Sequence, residues 1–364
     1  MKNVHSQPST KIYVFFLISS LKRCGPVNML FLLVSQLDFI RFVPIVFTFK
    51  NETKNSRLNE FSALGVEVVQ CAGILAYIWQ LRQRQQQYTA VVFHSHGVIP
   101  DLINLMVASL QSVKVSTLHN FPFEDYPMTF GRIFGLLMAR VHMVIEKKLV
   151  TVTCSVTIKV QIEKKTGIRL LSIANGVPFT DCCVKRKDAK RFLYLGEINH
   201  RKNVGFLLRM FALPSLSKYS LTIVGDGPLL EKLKARYGVI SNITFLGHVD
   251  HPEQYLRTTD YLISASLSEG LPMAVLEGLS YGLPVFLSDI ASHLQILNSG
   301  DFGGHFHVND SHDFIVKLDQ LLDQRFDREA IKKGAYEQYS DVVMTRRYES
   351  LYQKLLADQK GVLG

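Results

Sequence analysis

The feature that most limits what this chain can become is a repeated alternation of unbroken apolar runs with amphipathic ones. KIYVFFLISS opens the series. A continuous run of β-forming residues, with no polar residue at every second position, reads as a strand buried on both faces of a parallel sheet. A Gly-Pro turn in LKRCGPVN follows, then MLFLLVSQLD as a helix and RFVPIVFTFK as a second strand. SRLNEFSALG reads as a helix ended by Gly65, VEVVQC as a strand and ILAYIWQLRQRQQQY as a helix. AVVFHSHG and KVSTLHN are further strands, MTFGRIFGLLMARVHMVIEKK one long helix, and LVTVTCS a strand after it. Strands alternating with helices predict a parallel sheet covered on both sides.

The rhythm stops at SIANGVPF, gives way to the polar stretch TDCCVKRKDAK, and restarts. RFLYLGEI, SLTIVGDG, ITFLGHV, YLISASLS and PVFLSD read as strands. NVGFLLRMFALP, PLLEKLKARYG, PEQYLRTT and LPMAVLEGLSYG read as helices between them, with Pro228 in the first turn of the second and Gly238 just past its end. The pattern after about residue 312 is helical. A chain of 364 residues is long for one domain. Two doubly wound α/β domains are expected, residues 1–178 and 179–345, with a helical tail, 346–364, returning to the first. Ligands of open parallel sheets bind beyond the carboxyl ends of the strands, so two such sheets facing each other would enclose a cleft lined by the loops that follow strands.

Charge and cysteine usage narrow the partners. The net charge is +10, and it is uneven: residues 1–182 carry 19 Lys and Arg against 10 Asp and Glu, while residues 183–364 carry 22 against 21. A basic surface seeks phosphate, in nucleotides, lipid headgroups or nucleic acid. The charge shows no aromatic interleaving and no reader motif, which sets nucleic acid aside. Cys24, Cys71, Cys154, Cys182 and Cys183 are few and unpatterned, which argues against a disulfide framework or a zinc site and suits a reducing compartment. IYVFFLISSL is too short to span a membrane, and MLFLLVSQLDFIRFVPIVF is interrupted by Asp38, Arg41 and Pro44. HSQPST precedes the first apolar run, against the order of a signal peptide. A cytoplasmic protein is expected. The helix FGRIFGLLMARVHMVIEKK is a candidate membrane-facing surface, but burial of an apolar helix is the preferred reading.

LISASLSEGLPMAVLEGLSYGLPVFLSD holds two glutamates eight residues apart, between two apolar runs. Glu269 falls on the loop after a strand. Pro272 is expected in the first turn of the next helix, so the amides of Gly270, Leu271, Met273 and Ala274 lie at a helix N-terminus, a place for anions or sugar hydroxyls. Glu277 is about one turn further in. A carboxylate accepts two hydrogen bonds from a diol, which makes ribose and hexose natural partners. His94 and His96 also follow a strand, but no third ligand is evident and they are not read as a metal site.

SLSEGLPMAVLEGLSYGLPVFLSDI resembles the E-x7-E signature of retaining glycosyltransferases of family 4, which have the GT-B fold of two Rossmann-like domains. ISSLKRCGPVN resembles the glycine turn after the first strand of that family, and LGEINHRKN its diphosphate-binding strand-loop. IVGDGP and FLGHV resemble the next two strand ends of the second domain, and IANGV the end of the first; together they span roughly residues 11 to 300. The resemblance implies a nucleotide-sugar donor, UDP favoured, held mainly by the second domain. It implies a glycan acceptor on the first, retention of anomeric configuration and no required metal or other cofactor. Glu277 would hold the donor ribose, while Glu269 and the amides from Gly270 to Ala274, with Pro272 among them, would hold the transferred sugar. Arg201 and Lys202 would neutralise the departing diphosphate, the electrostatic service such a leaving group needs. Gly25, Gly225 and Val249 would border the donor. His119 would contact the transferred sugar, and Glu269, His119 and Lys202 make up the catalytic set. His96, Asp125 and Tyr126 would line the acceptor side. The basic first half suits a polyprenyl-diphosphate-linked acceptor at the cytoplasmic face of an inner membrane, and the resemblance points to surface-polysaccharide assembly.

The sequence departs from the family where arginine often follows the glycine of the second domain's first strand: here it is Glu197, a carboxylate that either points away from a diphosphate or is offset by Arg201. Cys24 stands where glycine is common. Two other readings stay open: a GT-B isomerase of the UDP-sugar 2-epimerase kind, and a non-catalytic nucleotide-sugar-binding protein, which Glu197 favours.

Overall fold

The structure, a computed structural model, describes residues 11–109, 112–180 and 190–362. Cys182, Cys183 and most of the polar stretch read as a linker lie outside the described residues. The chain divides into two compact units: one runs to Asn175 and takes in the chain from Asp341 on, and the other is Gly176–Ser340.

The first unit follows the order β1 (Ile12–Leu17), α1 (Gly25–Ser35), β2 (Phe42–Thr48), α2 (Leu58–Ala63), β3 (Glu67–Gln70), α3 (Ile74–Gln85) and β4 (Val91–Ser95). It continues through α4 (Val98–Val107), β5 (Val113–Leu118), α5 (Pro122–Phe130), α6 (Arg132–Glu146), β6 (Val150–Thr153), α7 (Val156–Thr166) and β7 (Leu171–Ser172). Its seven strands are parallel, in the order β3-β2-β1-β4-β5-β6-β7. Alternation along β1 divides the core. Val14 and Phe16 pack with residues of α1 on one side of the sheet, while Phe15 and Leu17 pack with Tyr77 and Leu81 of α3 and Ile103 and Val107 of α4 on the other.

The second unit contains β8 (Arg191–Leu195), α8 (Val204–Phe211), β9 (Ser220–Val224), α9 (Leu230–Tyr237), β10 (Ile243–Gly247), α10 (Glu253–Leu256) and β11 (Tyr261–Ser264). After these come α11 (Met273–Ser280), β12 (Val285–Ser288), α12 (Ala291–Leu297), β13 (Gly303–Phe306), α13 (Ser311–Asp323) and α14 (Arg328–Tyr339). The sheet order is β10-β9-β8-β11-β12-β13, again parallel throughout. A final helix, α15 (Asp341–Val362), belongs to the first unit. Its Tyr348 and Tyr352 are fully buried, and their hydroxyls lie 2.9 Å from Thr117 Oγ1 and 2.7 Å from His94 Nδ1.

Several elements differ from those read in the sequence. The long helix over MTFGRIFGLLMARVHMVIEKK is two helices, α5 and α6, parted at Gly131, whose φ of 84° is one that only glycine adopts freely. Gly135 lets the two touch: a Cβ there would stand 2.4 Å from the Pro127 nitrogen. α4, α7, α12, β7 and β13 are absent from the sequence reading. Pro228 lies before α9 rather than in its first turn, and Pro272 caps α11 from outside. No described helix is long and apolar enough to cross a membrane.

Candidate active site

Both sheets reverse strand order once, between β1 and β4 and between β8 and β11. Chains leaving two such strands diverge and open a crevice at their carboxyl ends. In the second unit the loops at this point carry Arg201 and Lys202 after β8 and Glu269 after β11. The structure brings these three together. Arg201 Nη1 donates to Glu269 Oε2 at 2.9 Å and to the Ser268 carbonyl at 2.8 Å, and Lys202 Nζ donates to Glu269 Oε1. The Arg201 carbonyl accepts from Leu267 N at 2.8 Å, which ties one loop to the other. Burial pushes the Glu269 carboxyl up, but Lys202 and then Arg201 outweigh it and hold it at about 2.

The loop that carries the cations is itself fastened by backbone. Gly196 N donates to Val224 O, Ile198 N to Asp226 O and Leu229 N to Ile198 O. Gly225 makes this approach possible: its φ is 141°, and a Cβ there would sit 1.8 Å from the Gly196 carbonyl oxygen. The glycine that resembles a donor-site residue thus has a packing reason of its own. Val249 follows β10, which pairs with β9 at the edge of the sheet. Gly270 and Leu271 are buried just ahead of α11, Met273 and Ala274 form its first turn, and Glu277 lies on its half-buried side. Gly278 seats that helix against β11: a Cβ there would stand only 3.0 Å from Leu262 Cδ1. Glu197 is exposed and takes no part in the cluster of Arg201, Lys202 and Glu269; its carbonyl accepts from the Tyr194 hydroxyl at 2.7 Å.

Three residues here escape sequence reading. Ser266 Oγ donates to Glu269 Oε1 at 2.8 Å, Ser288 Oγ donates to the Ser266 carbonyl at 2.7 Å, and His293 Nδ1 lies 3.0 Å from Ser288 Oγ. His293 is fully buried, burial holds its imidazole down to about 4, and its Nε2 has no partner among the described residues. The only available signal was position: SD and SH fall just after a strand in SDIASH.

In the first unit, His96 and His119 follow adjacent strands β4 and β5, and their rings bond each other, Nδ1 to Nε2, at 3.0 Å. Burial pushes His96 well down and His119 to about 4, so near neutral pH both rings are uncharged, one donating and the other accepting. His96 Nε2 has no partner among the described residues. Gly25 begins α1 with an ordinary negative φ, and a Cβ there would meet nothing within 4 Å. Neither a tight turn nor packing demands glycine there.

Asp125 and Tyr126 lie on α5, and the Tyr126 hydroxyl is 2.7 Å from His142 Nδ1. That tyrosine belongs to a buried network. His142 Nε2 lies 2.8 Å from both Asp101 Oδ2 and Glu146 Oε1, Ser116 Oγ donates to both carboxylates, and Thr151 Oγ1 donates to Glu146. Burial pushes the His142 imidazole down, but Asp101 and then Glu146 raise it to about 9. The three ligand-type atoms are within 4.8 Å of one another. Each is already hydrogen-bonded, so the group is complete as an ion network.

Two Rossmann-ordered units with a cation-carboxylate cluster at the switch point of the second define the GT-B class of fold. Residues 183–338 match the family described as glycosyl transferases group 1. The O-antigen biosynthesis glycosyltransferase WbnH of Escherichia coli is 29% identical over 188 residues, 52% of this chain and 53% of that protein. The chain thus spans about half the length of that curated relative. WclY of Escherichia coli, also an O-antigen biosynthesis glycosyltransferase, is 23% identical over 369 residues, 95% of this chain and 99% of that one. Among solved structures, Anabaena Alr3699/HepE in complex with UDP and glucose superposes with a TM-score of 0.76 at 14% identity, over 93% of this chain and 99% of that chain. The likeness to GT-B glycosyltransferases of the surface-polysaccharide type, read first in the E-x7-E stretch, holds.

Proposed function

We propose that the chain is a retaining glycosyltransferase that moves a hexose or N-acetylhexosamine from a nucleotide-sugar, UDP favoured, to a lipid-linked glycan at a membrane face during surface-polysaccharide synthesis. The observation that carries this reading is the convergence of Arg201 and Lys202 on Glu269 at the β8–β11 switch point, just ahead of α11 with Glu277. The O-antigen assignment of WbnH and WclY and the UDP held by HepE support the same class of reaction.

In this reading Glu269 keeps two cations in place until a diphosphate arrives. The diphosphate competes for Arg201 and Lys202, which then stabilise the charge that grows as the sugar–phosphate bond breaks. Glu269, released from them, accepts hydrogen bonds from the transferred sugar, and Glu277 holds the ribose diol. The departing phosphate takes the acceptor proton, so no side-chain base and no metal is needed. His119, neutral, donates to a sugar hydroxyl rather than collecting a proton, with His96 fixing its tautomer; Asp125 borders the acceptor.

Calorimetric titration with UDP and with GDP tests the donor site. Micromolar binding of UDP is expected, weakened roughly 10-fold or more in Glu277→Ala and in Lys202→Ala, each of which removes a charge-assisted hydrogen bond. Binding of neither nucleotide, or indifference to both substitutions, would remove the donor reading. The anomeric configuration of the product, read by NMR, tests retention.

A further inference from the structure

Helices α4 and α6 bury ionisable and polar groups while turning apolar side chains to water. On α6 the residues turned inward are Gly135, Ala139, His142, Met143, Ile145 and Glu146, two of them ionisable. The outward stripe is Ile133, Leu137, Val141 and Val144, at 87%, 56%, 52% and 67% exposure. The neighbouring α4 does likewise: Asp101 and Asn104 are fully buried beside Ile103 and Val107, while Ile99, Leu102 and Met106 are exposed. A surface helix of a globular protein ordinarily does the reverse. The buried network adds to the apolar contacts of Ala139, Met143 and Ile145 in holding α6, because Asp101, Tyr126 and Thr151 grip His142 and Glu146 from three neighbouring elements. It leaves the apolar sides of both helices facing water, and exposed apolar surface of this extent marks a binding face. Burial of the helix, the preferred sequence reading, holds for one side of α6 and not for the other.

The exposed charge of α4 and α6 has one sign. Arg132, Arg140, Lys147 and Lys148 are exposed on or beside α6, and the only carboxylates of α4 and α6, Asp101 and Glu146, are buried. Phe130 at the end of α5 is half-exposed and its ring lies edge-on to Phe134 at 6.4 Å. A second copy of the chain pairing here would set these cations against their equivalents. A bilayer surface rich in anionic headgroups would complement all four while its acyl boundary takes the apolar stripe.

We propose that the α4–α6 face docks on an anionic lipid surface, with α6 lying in the plane of the headgroups. This deepens the reading of a lipid-linked acceptor and rests on it for the purpose of docking, but vesicle binding is measured without nucleotide or acceptor, so its failure and that of the donor site are separately visible.

The test is co-sedimentation of the full chain with vesicles of phosphatidylcholine alone and with phosphatidylglycerol added. The native chain should sediment with the anionic vesicles and hardly with the neutral ones. Leu137→Glu with Val144→Glu, and separately Arg140→Glu with Lys148→Glu, should each weaken that binding at least ~10-fold, since each acts on one of the two attractions. Lys232→Glu with Lys234→Glu, exposed cations of α9, should leave it unchanged. Unchanged circular dichroism would show that the variants fold, as their exposed positions predict. Failure of the native chain to bind anionic vesicles would overturn the proposal. So would equal loss in the α9 variant, or a dimer that the Leu137→Glu, Val144→Glu chain breaks with no change at the vesicle.

Discussion

At the scale of single residues, Glu269 does most to join stability to the proposed chemistry. Its carboxyl is depressed from the ordinary 4.5 to about 2. A depressed acid stabilises the fold above its ordinary pKa and ceases to as pH falls through the folded value, so the second unit should lose stability between about pH 4.5 and 2. Urea melts at pH 6 and pH 3 should show this, and Glu269→Gln should flatten the difference by on the order of 2 kcal/mol. Two glycines separate packing from function. Gly225→Ala should cost about 3 kcal/mol or more, since a Cβ would collide with the Gly196 carbonyl at a φ of 141°, whereas Gly25→Ala should leave the melting temperature unchanged. Charge beside an apolar run makes Glu269 legible in the sequence, whereas Arg201 and Lys202 were legible only through the resemblance of LGEINHRKN to a diphosphate-binding loop. The sequence conceals Ser266, Ser288 and His293, which are small or common residues joined only by hydrogen bonds across three loops.

Elements were legible wherever both faces of a strand are buried, because IYVFFL, FVPIVFT and VFLS are apolar from end to end. α4 was not, because its Pro100, Asp101 and Asn104 read as loop residues until their burial is seen. The division at Gly131 was hidden because apolar residues continue across it. α6 also carries a pH response of its own. His142 is raised from 6.5 to about 9, so the stabilisation it gives is whole below pH 6.5 and is lost as pH rises through 9. Glu146, raised by burial and by Asp101, acts in the same direction. Thermal melts should fall across that range, and His142→Gln should lower the melting temperature at pH 6.5 and remove the part of the slope that His142 contributes. Breaking the buried ion group should cost about 3–5 kcal/mol.

On the scale of the whole molecule, the first unit is closed by the last helix of the chain. Met344, Tyr348 and Tyr352 of α15 join the core that contains Val14 and Phe16, and Gln36 Nε2 donates to Asp341. Tyr352→Ala should therefore destabilise the first unit by about 3–5 kcal/mol and leave the second unaltered, which limited proteolysis would resolve into one labile and one resistant fragment. The feature has a consequence in time. During synthesis a ribosome delivers domains from the amino end, and each ordinarily folds as it emerges. Here the strands of the first unit wait for a helix made after the whole second unit, while Gly176–Ser340 has all its strands as soon as it clears the exit tunnel. A nascent chain stalled before Asp341 would carry a finished second unit and an open first one, so that emergence of α15 becomes the signal that the first unit has been closed.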